Sequence, residues 1–260
     1  MAHTIFDNKL IENKAESILE TKMTASTYMK LDDSLTAQDG RKVDVNTYVV
    51  TGELESLAMG EGNTKEFEVS FTTKEYEVET LQGKWKYHDE EAQKDSFAID
   101  QLITGVAEEM VNDMNKKFFV ELAKGTKEVT TTTSAGITFE NVVDGIALFK
   151  ENDKAKYLFV NPAQVAKMRK NLKDLLSYSE AFVRTGYIGT VAGVSVVMTN
   201  SVPDGAAYIA TTEAVTNFVK KGIENEADRD ADKRITYNYT RKVNVIALTD
   251  AREVVKITLA

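Results

Sequence analysis

From Ile99 onward, Ile103, Val106, Met110, Met114, Phe118 and Leu122 recur every three or four positions, and the pattern stops at Gly125. That spacing lines one face of an α-helix. Asp95-Ser96 stands where an N-cap belongs, and Gly125 marks where the helix stops. Phe97 to Lys124 is about 28 residues, which at about 1.5 Å of rise each predicts a rod of roughly 42 Å. Few globular helices are so long, and the rest of the chain must pack around it as around a spine. Read in isolation, it is equally a long core helix and nothing more.

Upstream the pattern changes period. Val43 to Thr51 is rich in Val and Thr, and Lys65 to Phe71 alternates strictly, with Phe67, Val69 and Phe71 on one face. Between them Ala58-Met59-Gly60-Glu61-Gly62-Asn63-Thr64 is rich in turn formers, so a long β-hairpin with Gly60 and Gly62 at its tip is expected. Tyr76 and Val78 fall on even positions, out of phase with Phe67 to Phe71, which predicts a bulge or bend near Thr72 to Lys74. A two-stranded ribbon is marginal in water unless something covers its apolar face. The expected cover for Phe67, Val69 and Phe71 is another subunit, with Gly60 and Gly62 of the tip at the same contact.

The first 40 residues mix Thr and Asp with apolar positions such as Ile11, Ile18, Leu19, Met23 and Tyr28, and read as an extended arm with a short helix. Beyond the spine, Val129 to Ser134 reads as a strand or loop. A helix follows near Phe139 to Lys150, a strand at Tyr157 to Val160, and a helix from Pro162 to about Leu176, with proline in the first turn, where it is favoured. Strands are expected at Val194 to Thr199 and Ala207 to Ala210, joined by the turn Val202-Pro203-Asp204-Gly205. Ile235 to Leu259 is strand-like. The fold class is α+β.

Few residues of the chain are set for chemistry. His3 and His88 are the two histidines, so no HExxH motif and no two-histidine metal site can be written, and no G-x-S-x-G elbow is present. His88, beside Asp89, Glu90 and Glu91, reads as a solvated or interface residue rather than a general base. Gly186 to Gly193 looks like a phosphate loop but matches neither the dinucleotide nor the P-loop spacing, and reads as a structural loop. Asp228-Arg229-Asp230-Ala231-Asp232 opens like a calcium loop, yet Lys233 stands where glycine is needed and Tyr239 where the bidentate glutamate is needed. A solvated charged turn fits better. Glu53, Glu55, Glu61, Glu66, Glu68, Glu75, Glu77 and Glu79 alternate with apolar neighbours in the hairpin region, a row with no pocket to perturb it. A solvated or intersubunit salt-bridge face is expected, with no catalytic residue, cofactor or metal.

Composition narrows the class further. Zero cysteines exclude disulfides and thiolate chemistry, and a net charge of −9 opposes tight nonspecific binding to nucleic acid. No apolar run approaches the roughly 20 residues of a membrane helix. Met1 to Lys14 lacks the tripartite pattern of a secretory signal, so a cytoplasmic setting is expected.

The order of parts resembles the tailed-phage major capsid fold known from the Hong Kong phage. The residues that carry the likeness are Lys84-Trp85-Lys86-Tyr87 through Asp95-Ser96 into the helix; Phe159-Val160-Asn161-Pro162 with Met168-Arg169-Lys170; and Gly189 to Val197 followed by Val202-Pro203-Asp204-Gly205. The resemblance implies an N-terminal arm at 1–42 and an extended hairpin loop at 43–90. It implies a peripheral domain with the spine helix at 91–135 and 225–260, and an axial domain at 136–224. It further implies a non-enzymatic subunit of an icosahedral shell enclosing double-stranded DNA without reading its sequence. Partners would be other copies of the chain in hexamers and pentamers, a portal and a separate scaffolding protein, since only about 40 residues precede the hairpin; otherwise the chain is the mature form. Assembly would take place in a bacterial host's cytoplasm, with no membrane, and the end location would be the virion capsid. An encapsulin-like nanocompartment shell is the nearest rival, and a small-molecule α+β enzyme the rival from another class.

Overall fold

A computed structural model describes residues 8–22, 24–37, 40–131, 136–150, 153–175 and 189–259. His3, Met23, Leu176, Ser134 and residues 186–188 of the glycine-rich segment lie outside the described residues. In chain order the elements are α1 (Asn8–Lys22), β1 (Lys30–Asp32), β2 (Lys42–Thr51), β3 (Glu68–Glu77), β4 (Glu79–His88), α2 (Asp89–Lys94), α3 (Ser96–Leu122), β5 (Lys127–Thr131), α4 (Phe139–Ala147), β6 (Lys156–Val160), α5 (Pro162–Leu175), β7 (Thr190–Val191), β8 (Val194–Met198), β9 (Ala206–Thr211), β10 (Val215–Asp230), β11 (Ile235–Leu248) and β12 (Val254–Leu259). The strands form a four-stranded sheet β1-β10-β11-β4, a six-stranded sheet β5-β12-β9-β6-β8-β7 and a separate ribbon β2-β3.

The rod expected from the 3.6-residue period is α3. Asp95 caps it by accepting the Phe97 N–H at 2.9 Å. Its N-terminal half buries Ile99 and Ile103 against Ile11 of α1 and Trp85 of β4. Its C-terminal half buries Met110, Met114, Phe118 and Leu122 in a core shared with Phe159, Tyr208, Val215 and Ile246. There the rings of Phe118, Phe119 and Phe159 meet edge to face, with centroids 5.1 to 5.6 Å apart. One helix thus joins both sheets, as a spine must.

Residues 8–37 do not form the expected extended arm with a short helix. The 15-residue α1 lies along α3 in the same direction: the Lys14 ammonium pairs with Asp100, and the Ala25 N–H reaches Asn115 Oδ1 at 3.2 Å. Ile11 and Ala15 are buried. α1 also covers β10 through a polar network. The Asn225 N–H donates to Glu12 at 2.8 Å and the Asn225 amide to Asn8 at 3.0 Å and Asn238 at 3.1 Å. Trp85 Nε1 donates to Thr240, whose hydroxyl donates to Asn225. Buried polar atoms need such partners, and these bonds let Asn225, Asn238 and Thr240 stand at buried strand positions.

In the six-stranded sheet Leu158, Val160, Ile209, Val255 and Ile257 face α4 and α5, whereas Phe159, Tyr208 and Val254 face α3. α5 connects the parallel strands β6 and β8, the usual way to join such a pair. β5 and β12 belong to this sheet and β12 pairs with β9, so a division that groups 91–135 with 225–260 apart from 136–224 separates hydrogen-bonded neighbours, and its boundary at 224/225 falls within β10. Sequence order groups neighbours along the chain, but strand pairing does not follow it. Likewise β4, read as part of a hairpin loop at 43–90, pairs with β11 from Glu79↔Asn244 to His88↔Ile235 and is part of the body. No helix among the described residues is long and apolar enough to cross a membrane.

Candidate assembly surface

The hairpin is present, and its register is unbroken: β2 pairs antiparallel with β3 from Lys42↔Glu77 to Thr51↔Glu68. The bulge expected near Thr72 to Lys74 is therefore absent. The phase change has another cause. Directly opposed residues share a face, and the ribbon's apolar face switches sides halfway along. At its root Val43, Val45 and Tyr76 occupy one face, buried with Leu35, Val245, Ala247 and Phe218. Beyond Thr47 the apolar side chains sit on the other face, with Tyr48 opposite Phe71 and Val50 opposite Val69. Phe67 continues that face over Gly52.

The root is covered by the chain's own sheet, and the outer half is bare. Phe67, Val69 and Phe71 are 58%, 60% and 66% exposed, and Tyr48 and Val50 are exposed with them. Of the five residues expected at a subunit contact, Phe67, Val69 and Phe71 lie together on one open apolar face, whereas Gly60 and Gly62 lie apart from it in the tip. Tyr48 and Val50 were missed because Tyr48-Val49-Val50 is a continuous apolar run without alternation; the strand register separates its two faces. Beyond Thr51 the tip, 52–67, is irregular and braced internally: Glu55 accepts the Thr64 hydroxyl and the backbone N–H groups of Thr64 at 2.7 Å and Lys65 at 3.2 Å, and these bonds, the Thr64 hydroxyl first, lower its carboxyl below the ordinary value. Gly60 takes φ +97°, the conformation that calls for glycine in the turn, whereas Gly62 lies beside it with open space around it. Leu54 and Met59 project into solvent at this tip.

Two contacts anchor the ribbon to the spine. The Tyr76 hydroxyl donates to Glu121 at 3.3 Å, and Lys124 pairs with Glu121 while lying 5.6 Å over the Tyr76 ring. Burial first, then the Glu121 charge, pushes the phenol up to about 12. At the start of β4, Glu79 pairs with Lys117.

The glutamates form no single row. Glu68 lies on the face opposite Glu75 and Glu77, and several are paired: Glu53 with Lys65, Glu75 with Lys42, Glu79 with Lys117. The described end of the glycine-rich segment is a hairpin turn, in which Ala192 and Gly193 at φ +51° and +82° connect β7 to β8. The Asp228 to Asp232 run ends β10, where the Asp230 carboxylate accepts the N–H groups of Asp232 and Lys233, and Arg229 pairs with Asp89. His88 closes β4, its N–H donating to Glu91 at 3.1 Å. A cleft of 580 Å³ between β4 and α3 is lined by Leu81, Trp85, Leu102, Val106, Glu109 and Asp113, the last held at 3.0 Å by Lys117.

A family model described as phage capsid protein matches residues 71–257. The major capsid protein of Staphylococcus phage phiMR11 is 25% identical over 254 residues, covering 92% of this chain and 88% of the relative. Among solved structures, the mature capsid of bacteriophage PhiM1 matches with a TM-score of 0.69 at 11% identity, over 90% of this chain and 86% of that one. The virus-like particle from Pyrococcus furiosus matches with a TM-score of 0.65 at 12% identity, over 97% and 100%.

Proposed function

The chain belongs to the phage capsid protein family, and on that footing we propose that it is the major capsid protein of a tailed phage, a structural subunit that assembles with copies of itself into the icosahedral shell around a double-stranded DNA genome. The observation that carries this reading is the switch of apolar face along the β2-β3 ribbon. A monomer gains nothing from five exposed apolar side chains on a projecting ribbon, whereas a neighbour that covers them does.

In this reading Phe67, Val69, Phe71, Tyr48 and Val50 form the intersubunit face, and Gly60 and Gly62 let the tip turn. The four-stranded sheet with α1 and α3 is the peripheral part, and α4, α5 and the strands β6 to β9 form the axial part of hexamers and pentamers. The protein is not an enzyme. It takes a scaffolding protein and a portal as partners, encloses DNA without sequence-specific contacts, and assembles in the host cytoplasm before residing in the virion.

The likeness to a virus-like particle supports a second reading, an encapsulin-like compartment shell. Light scattering and negative-stain microscopy of the purified chain, alone and with its scaffolding partner, test the assembly. A strictly monomeric species across salt and pH in both cases sinks the proposal. Particles from the native host that hold one stoichiometric enzyme in place of DNA favour the compartment.

A further inference from the structure

Two helices on one layer of the molecule expose opposite charge. α4 and α5 both lie on the face of the six-stranded sheet turned away from α3, bedded on it through Val142, Val165 and Met168. The outward side of α4 carries Phe139, Glu140, Val143 and Asp144, all exposed; the pattern 139, 140, 143, 144 places them on one helical face. α5 exposes Arg169 and Lys170. None of these four charged side chains has an ion-pair partner among the described residues, although ion pairs such as Lys154–Glu213 and Arg241–Glu226 occupy many of the chain's other charges.

The helices sit on different flanks. α4 packs over β12 and β5 at one side of the sheet, and α5 bridges β6 to β8 toward the other. Resting on the shell-subunit reading above, we infer that the outer face of α4 packs against Arg169 and Lys170 of α5 in the next copy, with Phe139 and Val143 at the dry centre of the contact. Opposite surfaces on opposite flanks make this contact head to tail, and a head-to-tail contact repeated by rotation closes into a ring. Packing α4 against α4 instead would bring Glu140 and Asp144 up against their own copies, a like-charge juxtaposition. Complementarity therefore selects the rotational arrangement over the two-fold one.

The test is a charge swap in the full chain, with the scaffolding partner where assembly needs it. Glu140→Lys with Asp144→Lys, and separately Arg169→Glu with Lys170→Glu, should each keep the native circular dichroism yet lower the yield of rings and shells about tenfold or more. The quadruple variant should recover assembly, because the attraction is rebuilt with reversed sign. Glu140→Gln with Asp144→Asn gives a milder change, and in that variant assembly should fall less and lose its salt dependence. Full assembly of either reversed pair overturns the inference, as does a folded quadruple variant that fails to assemble, or neutral variants with unchanged salt dependence. If the α5 pair alone impairs DNA uptake while shells form normally, α5 faces the genome and the inference fails. An unmodified chain that never assembles would instead defeat the shell reading itself.

Discussion

The Phe67 ring covers Gly52 across the outer end of the ribbon, so closely that a β-carbon at position 52 would meet the ring Cγ at 2.7 Å and the Phe67 Cα at 2.9 Å. Glycine at this position is what allows Phe67 to lie flat and extend the apolar face formed by Tyr48, Val50, Val69 and Phe71. Gly52→Ala should therefore push Phe67 out of line without touching the core. We expect an unchanged melting temperature for the unassembled subunit and a higher concentration threshold for assembly, measured by light scattering.

Replacing the face itself should act more strongly. Fully burying a large apolar side chain is worth about 1.5 to 3 kcal/mol, repeated in every subunit. Phe67→Asp with Phe71→Asp places carboxylates in the middle of that contact, where burying a charge is costly. The expected outcome is a folded, soluble subunit that forms no closed shells under electron microscopy; normal shells would show that this face is not the clamp.

A trimmed ribbon separates folding from assembly. Removing Val50 to Gln82 would take Tyr76, Val78 and the start of β4 out of the body, and the chain should then unfold. Removing only Tyr48 to Phe71, with Thr47 and Thr72 joined by a short turn, keeps the root packed on Val245 and Ala247. Circular dichroism should report a native fold for the second deletion, and microscopy an absence of shells.

Tyr76 predicts a pH dependence. Its folded-state value is raised to about 12 from 10.0 in the free side chain, so between those values the folded state holds a proton that the unfolded state has lost. Stability from this group is complete below pH 10 and falls as pH rises toward 12. Tyr76→Phe should show a shallower loss across that window, and its absorbance titration should lack one late-ionising phenol. An equally steep loss would remove Tyr76 from the account.

Asn225 holds the buried network between α1 and the four-stranded sheet. Asn225→Ala leaves the buried Thr240 hydroxyl and Asn238 side-chain carbonyl short of a partner, at about 1–3 kcal/mol for each buried group left unsatisfied. Thermal denaturation should show a clear drop in melting temperature, with the ribbon's protease sensitivity unchanged.

Much of this architecture was legible in the sequence, for reasons that differ between elements. α3 declared itself because one side of it is buried along its whole length, so the 3.6-residue period is intact from Ile99 to Leu122. The outer half of β3 did so because Phe67, Val69 and Phe71 alternate with polar residues. β10 was not recognised as a strand at all. Its buried positions include Thr216, Asn217 and Asn225, which hydrogen bonds satisfy and an apolar template does not see. The face switch was legible as a phase change, but its meaning was not: a bulge and a change of buried side leave the same trace in one strand, and only the β2 register distinguishes them. Tyr48 and Val50 stayed hidden for the same reason, since a run apolar on both faces carries no period.

The position of β12 has a consequence for how the protein is made. It lies between β5 and β9, so the six-stranded sheet is in two pieces until residues 254–259 have left the ribosome. Earlier strands can pair locally, but the contact that unites the layer waits for β12. A translation product that stops short of Val254 lacks an interior strand rather than a trimming at the rim, and chaperones and proteases can remove it before it joins a lattice in which every position must be filled by an intact copy. Threading this late segment through the middle of the sheet makes the synthesis of β12 a condition of entry.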